Sequence, residues 1–340
     1  MEGTLVAARL VLVILIAVGC SPRGDAQAAR QTGPPPALTQ AFRTRQGPVE
    51  TEMRHVLYHV DDRVVLRIKY LRGALLPTRD EPPWFDDPES FALAIDTGEV
   101  TLSVVSLSAL LNDYVFNYEG TPLEDLTVTI EDGQLKQTGT LHKVIDLPFT
   151  IRAELSTTPD GRIRLHPTSV KVLGIGVRSL MRTFGIELEN MVKVQRGRGV
   201  EISDNDFLLT PAGLLPPPRI QGLVTGVRLG RETIEQTFGG STRAGRSQRL
   251  HPSDPSAPNY MFYRGKVLRF GKLTMMDADL QIVDGDPKDP FDFYLAHLNE
   301  QLVAGESHNQ RDFGLVTVMP DYEDLPRQHP ARDRPVDRDR

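Results

Sequence analysis

The stretch LTVTIEDGQLKQTGTL, residues 126–141, decides the fold class of this chain. Leu126, Val128 and Ile130 alternate with polar residues, which is the two-residue period of a strand with one apolar face. The Asp132–Gly133 pair that follows is a strong signal for a tight hairpin turn, because both residue types tolerate a positive φ. The stretch therefore predicts an antiparallel hairpin whose apolar side chains share one face.

The same alternation continues on both sides of this hairpin. Downstream, it covers Phe149, Ile151, Ala153 and Leu155, then Ile163 and Leu165 after an Asp160–Gly161 turn, then Val170 and Val172. Further strands are predicted at 55–60 and 64–71 before the hairpin, and at 200–209 and 220–229 after it. This order indicates a long, twisted antiparallel meander.

Two stretches change to a helical period. The first stripe consists of Leu107, Leu110, Leu111, Tyr114 and Val115, with Ser106 as the expected N-cap, and the second consists of Val177, Leu180, Met181, Phe184, Leu188, Met191 and Val192. Because strands and helices are segregated along the chain, we predict an α+β fold. In it, a long curved antiparallel sheet wraps around the amphipathic helices.

Composition changes divide the chain into segments. We predict a leader at 1–19, a tether at 20–48, a main domain at 50–238, a linker at 239–258, a smaller C-terminal α+β region at 259–325 and a tail at 326–340. The tether and the tail have too few large apolar groups to build a core. The smaller region is expected to contain a helix over 291–302 that ends at Gly305.

The overall composition argues against several kinds of function. A formal charge of −6 argues against nucleic acid as the main partner, since neutralising phosphates requires clustered Lys and Arg. Cys20 is the only cysteine in 340 residues, so the chain cannot form an internal disulfide. If Cys20 serves for attachment, cysteine-based zinc sites and thiol catalysis are excluded as well.

Cys20 ends a segment with the layout of an export signal. Arg9 precedes the apolar run 10–18, and small residues close it. As a helix, the run from Leu10 to Gly19 would be about 15 Å long, roughly half of a hydrocarbon core, so a membrane-spanning helix is not expected. The residues Ala17-Val18-Gly19-Cys20 resemble a bacterial lipobox, which implies cleavage before the cysteine and its acylation. The alternative is a plain secretory signal with an incidental cysteine.

The middle of the chain, from 107 to about 238, resembles LmeA-like phospholipid-binding lipoproteins and, more loosely, tubular lipid-binding (TULIP) folds. The resemblance rests on the first helix, the strand–Asp-Gly–strand unit at 126–141, the strand 149–155, the Asp160–Ile163 turn and the later proline-led strand. It implies that acyl chains lie in a groove between sheet and helices. The lining residues expected on this basis are Leu107, Leu110, Leu111, Tyr114, Leu180, Met181, Phe184 and Leu188. The alternative reading of these stripes is ordinary core packing.

Other residue patterns give weaker signals. The acidic segment from Asp277 to Asp292 could supply oxygen ligands to calcium, but its spacing does not fit an EF-hand loop, and turn or helix-start acids are the alternative. His55 and His59 lack a recognised metal spacing. No nucleophile elbow, phosphate-binding loop or dinucleotide fingerprint is present in the sequence. We therefore expect no metal, no cofactor and no catalysis.

These observations lead to two functional hypotheses. The first is a lipoprotein of the cell envelope, attached through acylated Cys20, that holds or carries a phospholipid or another lipid. In a Gram-negative envelope it would lie at the outer membrane and face the periplasm, because Ser21 does not supply the aspartate that resembles an inner-membrane retention signal. The second is an assembly lipoprotein that binds an envelope protein through its sheet and the aromatic residues between Tyr260 and Tyr263.

The attachment hypothesis makes a direct prediction. Growth with labelled palmitate should label the wild-type chain and leave the Cys20→Ala variant unlabelled, because only the cysteine can be acylated in this way. The wild type should also partition into the membrane fraction. Equal labelling of both chains would contradict the prediction.

Overall fold

The computed structural model describes residues 47–119, 121, 123–142, 146–172, 175–176, 199–240, 250–310 and 314–325. This part of the chain is mostly β, with a large mixed sheet and a second, curled sheet shaped like half a barrel. The predicted α+β class, with a curved sheet wrapped around amphipathic helices, is therefore wrong. The helices that the structure describes are short and lie beside the sheets.

The strands of the described residues are β1 Val49–His59, β2 Val65–Pro77, β3 Phe91–Ser103, β4 Leu123–Glu131, β5 Gln134–His142, β6 Asp146–Thr157, β7 Ile163–Val172, β8 Ile175–Gly176, β9 Val200–Ser203, β10 Asp206–Leu209, β11 Arg219–Gln221, β12 Val224–Leu229, β13 Thr233–Phe238, β14 Tyr260–Phe270, β15 Leu273–Asp284, β16 Phe291–Tyr294, β17 Glu306–Asn309 and β18 Leu315–Met319. The α-helices are α1 Val104–Leu110, α2 Pro211–Leu214 and α3 Leu298–Ala304. None of the described helices is long and apolar enough to cross a membrane.

In the large sheet, the strand order is β12-β13-β3-β2-β1-β14-β15-β18-β17, with β11 added to β3 and β16 to β1. The pairs β1–β16, β3–β11 and β15–β18 are parallel, and the other pairs are antiparallel. The strands of 259–325 thus join the strands of 49–103 directly, through the β1–β14 pairing. The long linker predicted at 239–258 connects two strands of this one sheet.

The predicted helix at 291–302 is only partly present. Phe291–Tyr294 is a strand, buried along its whole length, and α3 begins at Leu298. A strand covered on both faces reads as a continuous apolar run, which cannot be distinguished by period from the start of a buried helix. This ambiguity explains why Phe291 and Tyr294 were wrongly assigned to a helix.

The curled sheet has the strand order β4-β5-β6-β7-β10-β9, with β8 added to β7. Its first hairpin confirms the strand–turn–strand unit predicted at 126–141. Glu131 pairs with Gln134 across a two-residue turn, in which Asp132 and Gly133 have φ values of 54° and 72°. Positive φ at both positions gives a turn with the twist that antiparallel strands require.

Helix α1 is present but begins earlier than predicted. The Ser103 side chain, not that of Ser106, is the N-cap, because Ser103 Oγ accepts a hydrogen bond from the Ser106 N–H at 2.9 Å. The helix widens into a π-helical turn at Leu111–Val115. The second predicted helix, at 177–192, lies outside the described residues.

Side chains of this helical segment satisfy the free edge of the curled sheet. Asn112 Nδ2 donates to the Leu126 carbonyl at 2.8 Å, and Asn112 Oδ1 accepts from the Leu126 N–H at 2.9 Å. Ser108 Oγ accepts from the Val128 N–H at 2.9 Å. These bonds replace the neighbouring strand that an edge strand lacks, and they fix the helix against β4.

The two sheets share a core. Its largest fully buried side chains are aromatic and come from the large sheet and the segment before β3: Phe85, Tyr263, Phe270, Phe291 and Phe293. Ile163 of the curled sheet is buried in the same cluster, and the Val224 N–H donates to the Gly161 carbonyl at 2.9 Å. The end of the curled sheet near Gly161 is therefore packed against the large sheet.

The edge contact of Asn112 yields a stability prediction. Asn112→Ala leaves the buried N–H and carbonyl of Leu126 without their partners, and each unsatisfied group costs about 1–3 kcal/mol. We expect the free energy of unfolding to fall by at least about 1 kcal/mol in urea titrations. Asn117→Ala, at an exposed asparagine five residues later, is the matched control and should change it much less. Equal effects of the two variants would contradict the edge role.

Candidate functional site

The curled sheet has one apolar face, which we call the inner face. Strand register places Leu135 opposite Ala153, Gln137 opposite Ile151, and Ile151 opposite Val170. Because side chains alternate across a strand, these positions point to the same side. The apolar residues of the inner face include Val128, Leu135, Phe149, Ile151, Leu155, Leu165, Val170, Val172 and Phe207.

The opposite face of the curled sheet is polar and ion-paired. Glu131 accepts from Lys136 Nζ at 2.8 Å and from Arg152 Nη2 at 2.6 Å. On the next strands, Asp206 pairs with both Arg164 and His166. Burial by itself would raise the pKa of Asp206, but the hydrogen bonds and charges of Arg164 and His166 outweigh it, so the net pKa is lowered. A sheet with this distribution keeps one face in water and offers the other for packing.

The inner face is not fully covered. Phe149 and Leu135 are buried, whereas Ile151, Leu165 and Val172 are half-buried. Val170 and Phe207 are also half-buried, and neither belongs to a buried cluster of described side chains. Gln137, at the centre of β5, is a polar residue on the inner face. Val128, Leu135, Leu155 and Leu165 belong to one cluster with Val227, Leu229 and Ile234 of the large sheet. The part of the inner face that stays open is therefore centred on Val170 and Phe207, and it carries no charged group.

Two of the predicted lining residues lie against the inner face. Leu107 and Leu111 pack against the cluster that contains Val128 and Leu135, and Leu111 also contacts the cluster around Phe149. Helix α1, fixed at the β4 edge, thus extends the apolar surface beyond the sheet. The structure brings these two residues together with the strand residues, a contact that fits both a lining role and ordinary core packing.

The other two predicted residues of this helix point elsewhere. Leu110 is buried in a separate cluster with Val64 and Val115, next to the β1–β2 turn. The Tyr114 hydroxyl donates to the Asp61 carboxylate in that turn. Burial and this hydrogen bond raise the pKa of Tyr114 to about 12, so the phenol stays protonated. Both residues anchor the helix to the large sheet.

The remaining predicted site residues, namely Cys20, Leu180, Met181, Phe184 and Leu188, lie outside the described residues. Conversely, our sequence analysis did not propose strand residues such as Ile151, Val170 and Phe207 as lining. The signal for them was present in the two-residue alternation. This alternation predicted the strands, but it was not applied to predict which residues line a groove.

A second apolar space lies on the large sheet. Residues of the segment Leu215–Ile220 line a cavity of about 20 Å³ together with residues of β1, β2 and β3. Its lining includes Tyr58, Leu66, Ile68, Leu93, Leu215 and Pro216. This volume is about that of one water molecule, and an apolar lining gives a water no partners. The cavity as it stands is a packing defect, too small for an acyl chain.

The acidic segment between Asp277 and Asp292 forms no metal centre. No group of three or more potential ligands in the described part of the chain is placed to hold a metal ion. Its carboxylates bind protein groups instead. Asp284 accepts from Asn259 Nδ2 at 2.8 Å and from the Asp286 N–H at 2.8 Å, and Asp292 contacts His59 Nε2 at 2.5 Å.

Asp321, which sequence analysis did not single out, completes this acidic cluster. Its carboxyl is buried and accepts from the Asp292 N–H at 2.6 Å. Burial is the largest cause of its raised pKa, about 7, and the nearby Asp284, Asp289 and Asp292 add to it. The carboxyl holds the last described segment against β16.

Comparisons of this chain with protein-family models, curated proteins and solved structures found no match.

Asp321 gives a pH-dependent prediction. The folded carboxyl retains a proton up to about pH 7, whereas the unfolded one releases it near 3.8, so its contribution to stability declines between these values. Asp321→Asn keeps the acceptor oxygen and removes the charge. We expect its melting temperature to exceed that of the wild type by at least about 2 °C at pH 8, with little difference at pH 4.

The matched control is Asp286→Asn. The Lys288 ammonium holds the pKa of Asp286 below its ordinary value, so this variant should gain nothing at pH 8. A gain for Asp321→Asn that is the same at pH 4 and pH 8 would show that the charge is not the cause.

Proposed function

We propose that this protein is a non-enzymatic lipoprotein of the bacterial cell envelope. It is attached through acylated Cys20 and holds or carries a lipid on the inner face of the curled sheet. The ligand is a phospholipid or another molecule with long hydrocarbon chains. Its place is the periplasmic side of the outer membrane.

The single observation that carries this proposal is the incompletely covered inner face. Val170 and Phe207 are half-buried and lie outside the buried clusters of the described residues, on a face whose neighbours are all hydrocarbon or Gln137. Apolar surface in contact with water is unfavourable, at about 25 cal/mol for each Å². An acyl chain on this face would remove that contact.

The chemistry of the inner face also defines which part of a lipid it would hold. Its members in β4–β7 carry no charge, and the ionised side chains of these strands, such as Arg152 and Glu131, lie on the opposite face. A phosphate or an amine on the inner face would lose water without gaining a partner. The acyl chains therefore bind, and the headgroup stays at the rim.

An alternative is an assembly lipoprotein that binds a protein partner. The aromatic residues expected to form that surface, from Tyr260 to Tyr263, are at most 1% exposed, because β14 is paired on both sides and covered on both faces. These side chains are core residues in this fold. No other described surface specifically favours a protein partner, so lipid binding is our preferred function.

The decisive experiment measures lipid that copurifies with the protein. The wild type should carry lipid in a constant molar ratio, detected by native mass spectrometry and by extraction. Ile151→Glu with Val170→Glu places two charges on a directly paired position of the inner face. We expect this double variant to lose most of the bound lipid.

The control for this variant is Thr127→Glu with Thr138→Glu. These residues are also directly paired, on the opposite face of the sheet, and the change adds the same charge. The control should retain its lipid, and thermal melts should establish that both variants are folded. Wild-type protein free of lipid, or equal lipid retention in both variants, would overturn the proposal.

A further inference from the structure

The end of the molecule where the chain enters the large sheet carries unusual surface residues. The large apolar side chains that are exposed in the described residues are Tyr70, Val105, Leu223, Leu273, Met276 and Val303. Three of these six lie on two elements, the β14–β15 hairpin and helix α3. Leu273, Met276 and Val303 are 46%, 72% and 86% exposed.

These two elements touch each other. The hairpin turns at Gly271 and Lys272, and a Cβ built on Gly271 would lie 3.1 Å from Asn299 Oδ1 and 3.3 Å from Leu302 Cδ2. The neighbour of Leu302 in α3 is the exposed Val303. Leu273 and Met276 are three residues apart in a regularly paired strand, so they point to opposite faces of the hairpin. The three exposed side chains therefore surround one end of the molecule, which we call the hairpin end, and do not form a single face.

The hairpin end is rigidly mounted. The Phe85 N–H donates to the Arg269 carbonyl at 3.1 Å, and the Arg269 N–H donates to the Pro83 carbonyl at 2.9 Å. The Arg269 guanidinium lies 3.9 Å above the ring of Trp84. Beneath the turn, Phe270 is buried against Phe85. Exposure of Leu273 and Met276 is thus imposed by a fixed backbone.

The chain enters the structure at this same end. Gly47, the first described residue, lies beside Lys266, and Val49 lies beside Gly265 in β14. From Gly265 the strand continues for five residues to Phe270, so the turn projects about 16 Å past the start of β1. The last described segment, by contrast, is held near Asp292, opposite the other end of β1. A chain anchored at Cys20 therefore joins the described structure close to the hairpin end.

We propose that the hairpin end rests on the bilayer that holds the anchor, with Leu273, Met276 and Val303 inserted at the boundary between headgroups and acyl chains. This inference depends on the proposed attachment through Cys20. An acyl anchor and a small apolar contact on the same side reinforce each other, since binding scales with buried apolar area. The contact also fixes the orientation of the inner face relative to the membrane.

Apolar insertion, and not charge, carries this contact. Lys266 and Lys272 are exposed near the turn and can meet lipid phosphates. Exposed carboxylates at Asp277, Glu81 and Asp86 lie on the same or adjoining elements and oppose them. We therefore expect the contact to persist at 0.5 M NaCl, at which interactions between exposed charges are largely screened.

The test uses the acylated full chain in vesicles of phosphatidylethanolamine and phosphatidylglycerol. Because Cys20 is the only cysteine and is blocked by acylation, Met276→Cys provides a unique thiol for a nitroxide label. Val105→Cys is the matched control, since Val105 is 73% exposed and Met276 72%. We expect the label at 276 to be several-fold less accessible to a water-soluble relaxation agent than the label at 105, and more accessible to oxygen.

Each contrary result has a distinct meaning. Equal aqueous accessibility at 276 and 105, on chains that mass spectrometry shows to be acylated, overturns the contact alone. Dipolar broadening between labels at 276 shows that a second copy covers the hairpin end, which also overturns it. A chain without acyl groups removes the anchor and the contact together. Absence of copurified lipid concerns the inner face and leaves the result at 276 unaffected.

Discussion

The side-chain bonds from helix α1 and its π-helical turn to the edge of β4 are the constraint on which the curled sheet depends. An edge strand exposes backbone groups that would otherwise pair with another chain. The Asn112 side chain hydrogen-bonds to both the N–H and the carbonyl of Leu126, and the Ser108 hydroxyl accepts from the Val128 N–H. The helical segment therefore takes the place of a neighbouring strand. The same placement sets Leu107 and Leu111 against the inner face. The same helical segment therefore satisfies the edge of the sheet and extends its apolar surface.

Much of the curled sheet could be predicted from the sequence because its information is local. The alternation around Asp132–Gly133 specifies strands, a turn and one apolar face within sixteen residues, and the structure agrees. The position of helix α1 could also be predicted, although its N-cap could not. Ser103 and Ser106 are equally good capping residues, and the choice depends on where β3 ends.

The fold class was predicted wrongly because it depends on pairings between distant residues. Nothing in the residues of β14 shows that they pair with β1, and nothing in Phe291–Tyr294 shows that this segment adds to β1 in parallel. The inner-face strand residues were not predicted as candidate lining for a related reason. The curl of the sheet and the elements that pack against it decide which apolar side chains remain uncovered. The alternation of apolar and polar residues in the sequence predicts neither of these features.

The central place of β1 in the large sheet has a consequence for how the protein is made. The Tyr260 hydroxyl donates to Glu52 in a buried bond between residues 208 positions apart, and β1 is flanked by β14 and β16 along its length. A chain that leaves the ribosome or crosses a membrane from its N-terminus cannot complete this sheet until the final quarter of its length has emerged. Such a topology has a high contact order and folds slowly. The unpaired margin of β1 is exposed to aggregation for all of that time, so folding of this protein would benefit from a chaperone that covers nascent strands.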